Sequence, residues 1–118
     1  MSATIFARTS VNALHHWPNA TKGRSYLAHP HMHTFNFEAH AVVSHDDRDI
    51  EFHDLRDLLD NAVWFILGGT DSALDGVADF GSRSCETIGK ILLELLPSAV
   101  FMIEVREDEA CGARIVRA

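Results

Sequence analysis

The sequence predicts an α+β fold in one domain: an antiparallel sheet made of two strand pairs, with two helices between the pairs packed on one face. Three observations predict it. The stretch "HTFNFEAHAVV" alternates, so that His33, Phe35, Phe37, Ala39, Ala41 and Val43 share one side of a strand. Leu55, Leu58, Leu59, Ala62, Val63 and Ile66 recur at helical spacing, as do Ile88, Ile91, Leu92 and Leu95 further on. No internal repeat, linker or low-complexity tract divides the 118 residues, a length that fits a single domain spanning 1–118.

The elements follow in order. "TIFARTSVNALHHW" is rich in β-branched and apolar residues and predicts a first strand over Ile5–Leu14. "TKGRS" reads as a loop, and the alternating stretch is the second strand. "DDRD" is a polar turn, and the first helix covers roughly His53–Ile66. "GGTDSALDG" is a loop. Ser84 is the N-cap of a second helix that Cys85 and Glu86 open and Pro97 ends. "AVFMIEVRE" is a third strand and "ARIVR" a fourth, which gives the order ββααββ.

Composition excludes several functions. A formal net charge of −7 argues against nucleic acid as a general partner. Two cysteines, Cys85 and Cys111, make no disulfide framework and fit a reducing compartment. The N-terminal "MSATIFARTS" lacks the apolar core of a signal peptide, and no stretch approaches the ~20 apolar residues of a membrane span. The expectation is a cytoplasmic protein with no membrane contact. A chain this small gains from oligomerisation.

The histidines are unevenly placed: all eight lie between His15 and His53. "HPHMH" opens the second strand, where residues i and i+2 point to the same side. His31 and His33 can therefore aim two imidazoles at one point, about 6–7 Å apart at Cα. Zinc takes nitrogen ligands in a tetrahedron, and a catalytic site keeps one position open. If the first two strands pair antiparallel, "ALHHWP" brings His15 or His16 beside that pair as a third ligand. The competing reading is a solvated polar tract or Phe/His packing at an interface. His40 falls on the opposite strand face, His29 precedes a proline in a loop, and His53 opens a helix; none of these is a ligand candidate.

These motifs resemble those of the 6-pyruvoyltetrahydropterin synthase and 6-carboxytetrahydropterin synthase family, whose members have the tunnelling fold (T-fold). The family order is ββααββ, with one zinc histidine at the end of the first strand and an H-G-H pair opening the second. "ALHHWP" and "HMH" correspond, and counting back from the proline favours His15 over His16. "EFHDLR" resembles the family's D-F-x-x-L-K, and "RSCETIGKIL" its P-T-x-E, with Ser84 and Glu86 in the Thr and Glu places. "VREDEACG" resembles the late glutamate with a glycine five residues on, at Glu107 and Gly112. The resemblance runs through nearly the whole chain. It implies a Zn2+ cofactor on His15, His31 and His33, a pterin held by Glu107 with Ser84 and Glu86 lining its pocket, and a homotrimer or homohexamer. A carboxylate accepts the two parallel N–H donors of a pterin at once, as from an arginine fork. Without the resemblance, Glu107 is one more acid of a solvated strand end.

Two family features are absent. The reactive cysteine position, four residues before the H-x-H pair, is Leu27. The family's Asp-His pair after the first helix has no counterpart, and Asp71 is the nearest acid. Candidates for relocated acid–base groups are Cys85, since a thiol at a helix N-terminus can have a lowered pKa, and His45 or Asp46 in "SHDDRD". The competing readings are a small buried cysteine in helix packing and a charged turn. The resemblance implies a zinc-dependent lyase acting on 7,8-dihydroneopterin triphosphate, of the 6-carboxy-5,6,7,8-tetrahydropterin type that feeds 7-deazaguanine and queuosine biosynthesis. The alternatives are a zinc- and pterin- or purine-binding protein without chemistry, and a bare T-fold assembly component.

Overall fold

The computed structural model describes residues 1–68 and 78–118. Its strands are β1 (Thr4–His15), β2 (His31–Val42), a two-residue β3 (Ala78–Asp79), β4 (Val100–Glu107) and β5 (Cys111–Val116). Its helices are α1 (Phe52–Ile66) and α2 (Cys85–Leu95), and a 3-10 turn spans Ser25–Ala28. The sheet order is β3-β1-β2-β4-β5. All pairings are antiparallel except β1 with β3, which is parallel at Ala13↔Ala78 and Leu14↔Asp79. The expected ββααββ order therefore gains one short strand between the helices. Two residues carry no periodicity, and the pairing of β3 depends on Leu14 being alongside: its carbonyl accepts from Phe80 N–H at 2.8 Å.

One face of the sheet carries the core. Phe35, Phe37, Ala39 and Ala41 of β2 are fully buried, and Ile103 and Val105 of β4 lie on the same side. Leu55, Leu59, Ala62 and Val63 of α1 and Ile88, Leu92 and Leu93 of α2 close over them. Each large side chain buried here contributes on the order of 1.5–3 kcal/mol relative to exposure. Both helices are capped by side chains. Glu51 accepts from the N–H groups of His53 and Asp54, and Ser84 accepts from Thr87 N–H, as its position in the sequence predicts.

Two glycines set how closely the last strand approaches. A Cβ on Gly89 would lie 2.6 Å from Ile115 Cδ1, so its absence seats α2 on β5. On Gly112 it would lie 2.2 Å from the Val105 carbonyl oxygen. That close approach keeps β5 in register with β4, with Cys111 opposite Glu107.

Among the described residues, no helix covers the opposite face. A row of charges crosses it. Glu38, 8% exposed, receives Arg8 at 3.4 Å, Arg106 at 3.2 Å and His40 at 3.2 Å. Glu104 receives Arg106 at 2.6 Å and Arg114 at 2.5 Å, and both guanidiniums hold its carboxyl below the usual range. Beside this network Phe6, Val42 and Val116 are half exposed or more. Among the described residues, the outer edge of β1 is paired only at Ala13 and Leu14, and the outer edge of β5 is unpaired. Among them, too, no helix is long and apolar enough to cross a membrane.

Candidate metal centre

The register of β1 and β2 places His15 directly across from His31. His33, two residues further along β2, points to the same side. The three rings meet edge to face, with centroids 4.5 Å apart for His15–His31, 5.2 Å for His15–His33 and 5.0 Å for His31–His33. One nitrogen from each ring lies within 4.8 Å of the other two. Phe35 forms the floor, 5.1 Å from the His15 ring, and is itself wedged by Phe80 at 4.9 Å.

What orients the rings is the nitrogen on their far side. His31 Nδ1 lies 2.8 Å from the His29 carbonyl oxygen. A carbonyl only accepts, so that nitrogen carries the proton and Nε2 keeps its lone pair. His33 Nδ1 lies 2.8 Å from Asp108 Oδ2, and the same argument applies. His15 makes a backbone hydrogen bond with Arg83, while its buried Nε2 has no hydrogen-bond partner. Burial pushes the His15 pKa below its ordinary value, more strongly than Glu107 and the Arg83 bond raise it. With neutral imidazoles three Nε2 lone pairs thus face one another, and the His15 nitrogen among them is buried and without a hydrogen-bond partner. Such a donor set fits a divalent metal ion of the zinc type, with an oxygen acceptor fixing each imidazole from behind.

Asp108 is a member of this arrangement that the sequence analysis missed. It sits at φ +56° in the β4–β5 turn. Its Oδ1 accepts from Thr34 N–H at 3.0 Å, its own N–H donates to the Thr34 carbonyl at 2.7 Å, and its carbonyl accepts from Asn36 Nδ2 at 2.8 Å. The His33 bond, followed by the Thr34 bond, holds its carboxyl below the usual range. Only the pairing of β2 with β4 brings residue 108 to residue 33, so the acid reads in sequence as one more charge in "REDE".

A cavity of about 310 Å³ opens beside the histidines. Leu27, Arg83, Glu86, Glu107 and Cys111 line it together with His15 and His31. Glu107 reaches inward: Oε1 is 3.3 Å from His15 Nε2 and Oε2 is 3.7 Å from His33 Nε2. The Ser84 hydroxyl lines the cavity but is engaged in capping α2. His16 also lines it, outside the trio.

The groups expected to take over acid–base work are placed unevenly. Cys85 is 6% exposed in the core and donates to Glu107 Oε1 at 3.7 Å. Its pKa is pushed up to about 12, by burial first and then by the Glu107 charge. The lowering expected at a helix N-terminus is not found; burial and the neighbouring carboxylate raise the pKa instead. His45 and Asp46 lie in the loop after β2, beyond the strand end opposite His31, where His45 faces Asp49 at 3.6 Å. Within the chain they are not brought to the histidine trio. Asp71 lies outside the described residues. Cys111 was not among the candidates; it is exposed, lines the cavity and is the cross-strand partner of Glu107. The strand was expected to begin at Ala113. Extending the alternation of Ala113 and Ile115 back by two residues would have placed Cys111 on the same face.

The fold has known counterparts. The chain superposes on a 6-pyruvoyl tetrahydropterin synthase from Caenorhabditis elegans with a TM-score of 0.61 at 14% identity, over 98% of this chain and 96% of that one. It superposes on an uncharacterized protein from Wolinella succinogenes with a TM-score of 0.64 at 12% identity, over 100% and 99% of the two chains. No protein-family model matches the sequence, and no curated protein matches it. The class defined is a small α+β protein with a pterin-synthase-like fold. The particular fold is a T-fold like that of 6-pyruvoyl tetrahydropterin synthase, carrying a three-histidine cluster that could hold a metal.

The two thiols should differ in reactivity. At about pH 8 a small alkylating reagent should modify Cys111 in the native protein, while Cys85 reacts only after denaturation. Peptide mass mapping checks this, and prompt native labelling of Cys85 would contradict the burial argument.

Proposed function

We propose that the chain is a zinc-dependent lyase of the 6-carboxytetrahydropterin synthase type, acting on 7,8-dihydroneopterin triphosphate in the 7-deazaguanine route. The observation that carries the proposal is the convergence of ring nitrogens from His15, His31 and His33 beside a cavity that His15, His31 and Glu107 line. A zinc ion held by His15, His31 and His33 would supply Lewis acidity to oxygens of the substrate side chain. Glu107 would accept the two parallel N–H donors of the pterin and fix the ring over the histidines. Glu86 at the start of α2 and the Cys111 thiol line the cavity in exposed positions, and would be the general acid–base groups of the reaction.

A second reading has a specific observation behind it. Leu27 lines the cavity with an apolar side chain, and the Cys85 thiol is bound to Glu107 and held protonated. A site without a poised base would bind zinc and a pterin or purine without converting it. One experiment separates the readings. Zinc-loaded protein is incubated with 7,8-dihydroneopterin triphosphate, and the product mass is recorded beside His31→Ala and His40→Ala. A changed mass with wild type and His40→Ala, and none with His31→Ala, supports the lyase. Saturable binding without conversion selects the second reading. Full zinc content in His31→Ala would sink both.

Assembly belongs to the same proposal. The free edges of β1 and β5 and the uncovered face bearing Phe6, Val42 and Val116 are surfaces that neighbouring copies would pair and bury. Light scattering at micromolar concentration should give the mass of three or six chains. A stable monomer would refute it.

A further inference from the structure

Glu107 and the histidines face each other in an unusual way. Oε1 approaches His15 Nε2 at 3.3 Å, yet that nitrogen makes no hydrogen bond. Oε2 approaches His33 Nε2 at 3.7 Å, and the proton of that ring is on the other nitrogen, against Asp108. A carboxylate thus confronts two bare lone pairs. Acceptors gathered this closely repel unless a cation lies among them. The spacing also has meaning. Zinc bonds of about 2.0–2.2 Å to nitrogen and oxygen, arranged tetrahedrally, separate neighbouring ligand atoms by roughly 3.3–3.5 Å. The carboxylate stands at nearly that separation from two of the three histidines. The Cys85 thiol holds it from behind by donating to Oε1 at 3.7 Å.

We infer that Glu107 is the fourth protein ligand of the metal in the ligand-free protein, so that the site is closed until an incoming molecule draws the carboxylate away. The inference rests on the metal reading of the proposed function and extends it. A three-histidine site with a bound water is open; three histidines and a carboxylate make a closed one. Glu107 then has two partners that exclude each other. It neutralises the metal charge when the cavity is empty. It turns to the paired N–H donors of a pterin-like ring when one enters, and the vacated position admits the oxygens of that molecule. A ligand lacking paired N–H donors would leave the carboxylate on the metal and the site shut.

The test uses the full-length protein with Zn2+ and, as a spectroscopic substitute, Co2+. Zinc affinity is measured by chelator competition for wild type, Glu107→Gln, Glu107→Asp and the nearby control Glu109→Gln. Co2+ absorption is followed from about pH 6 to pH 9, since a bound water that ionises near neutrality moves the bands and a carboxylate does not. The expected result is at least a tenfold weaker zinc affinity for Glu107→Gln, a smaller loss for Glu107→Asp and none for Glu109→Gln. Wild-type Co2+ bands should not move with pH, whereas those of Glu107→Gln should. Unchanged affinity in Glu107→Gln, or wild-type bands that titrate, would overturn the inference while leaving the three-histidine site and its pterin reading intact. Absence of zinc binding by wild type would overturn both. If Glu107→Gln fails to fold, the wild-type pH series alone decides.

Discussion

The pairing of β1 with β2 is the constraint on which the site depends. In the observed register His15 faces His31, and His33 shares their side with Phe35 and Phe37. A slip of one residue would turn every side chain of β2 to the other face, taking His31 and His33 into the charged row around Glu38. Burial prevents this. The same slip would move Phe35 and Phe37 out of the core and put Glu38 and His40 beneath the helices. The hydrophobic face therefore fixes the histidines, although none of them contributes much apolar area. The geometry of the histidine cluster follows from the packing of phenylalanines further along the strand.

Direction is set separately from position. Each histidine is held from its outer side by an oxygen, and the three sources differ: a carbonyl two residues back for His31, a carboxylate from the β4–β5 turn for His33, and a backbone bond at Arg83 for His15. Three parts of the chain thus converge to turn the Nε2 atoms inward. The cost is a buried nitrogen without a hydrogen-bond partner, which native structures rarely leave without a reason. A metal ion is the species whose chemistry matches three such lone pairs. The T-fold shared with a pterin synthase speaks to the architecture, and the histidines speak to the chemistry.

Much of this was legible in the sequence, for physical reasons. Alternation in "HTFNFEAHAVV" identified β2 and its buried face, since period two is a property of the strand alone. The Ser84 cap and most of the apolar stripe of each helix are likewise local, although Leu58 and Leu95 of those stripes are exposed. His31 and His33 could be paired from spacing, and His15 or His16 from one assumed antiparallel pairing, with the family resemblance favouring His15. The features that escaped depend on contacts between strands distant in sequence. Asp108 reaches His33 only because β4 lies beside β2. Cys111 enters the cavity only because Gly112 lets β5 approach β4 closely. The raised pKa of Cys85 comes first from burial in the core and then from Glu107, twenty-two residues away, which no helix-terminus argument reveals.

The fold itself, without any metal, leaves three Nε2 atoms bare and facing inward. Side-chain nitrogen NMR of the metal-free protein at about pH 8 reports it directly, because protonated and bare imidazole nitrogens have well-separated shifts. The hydrogen bonds on the outer side of the rings predict a proton on Nδ1 and none on Nε2 for His15, His31 and His33, whereas exposed His53 samples both tautomers. Protons on Nε2 in two or more of the three would contradict it, and the metal centre would lose its physical basis.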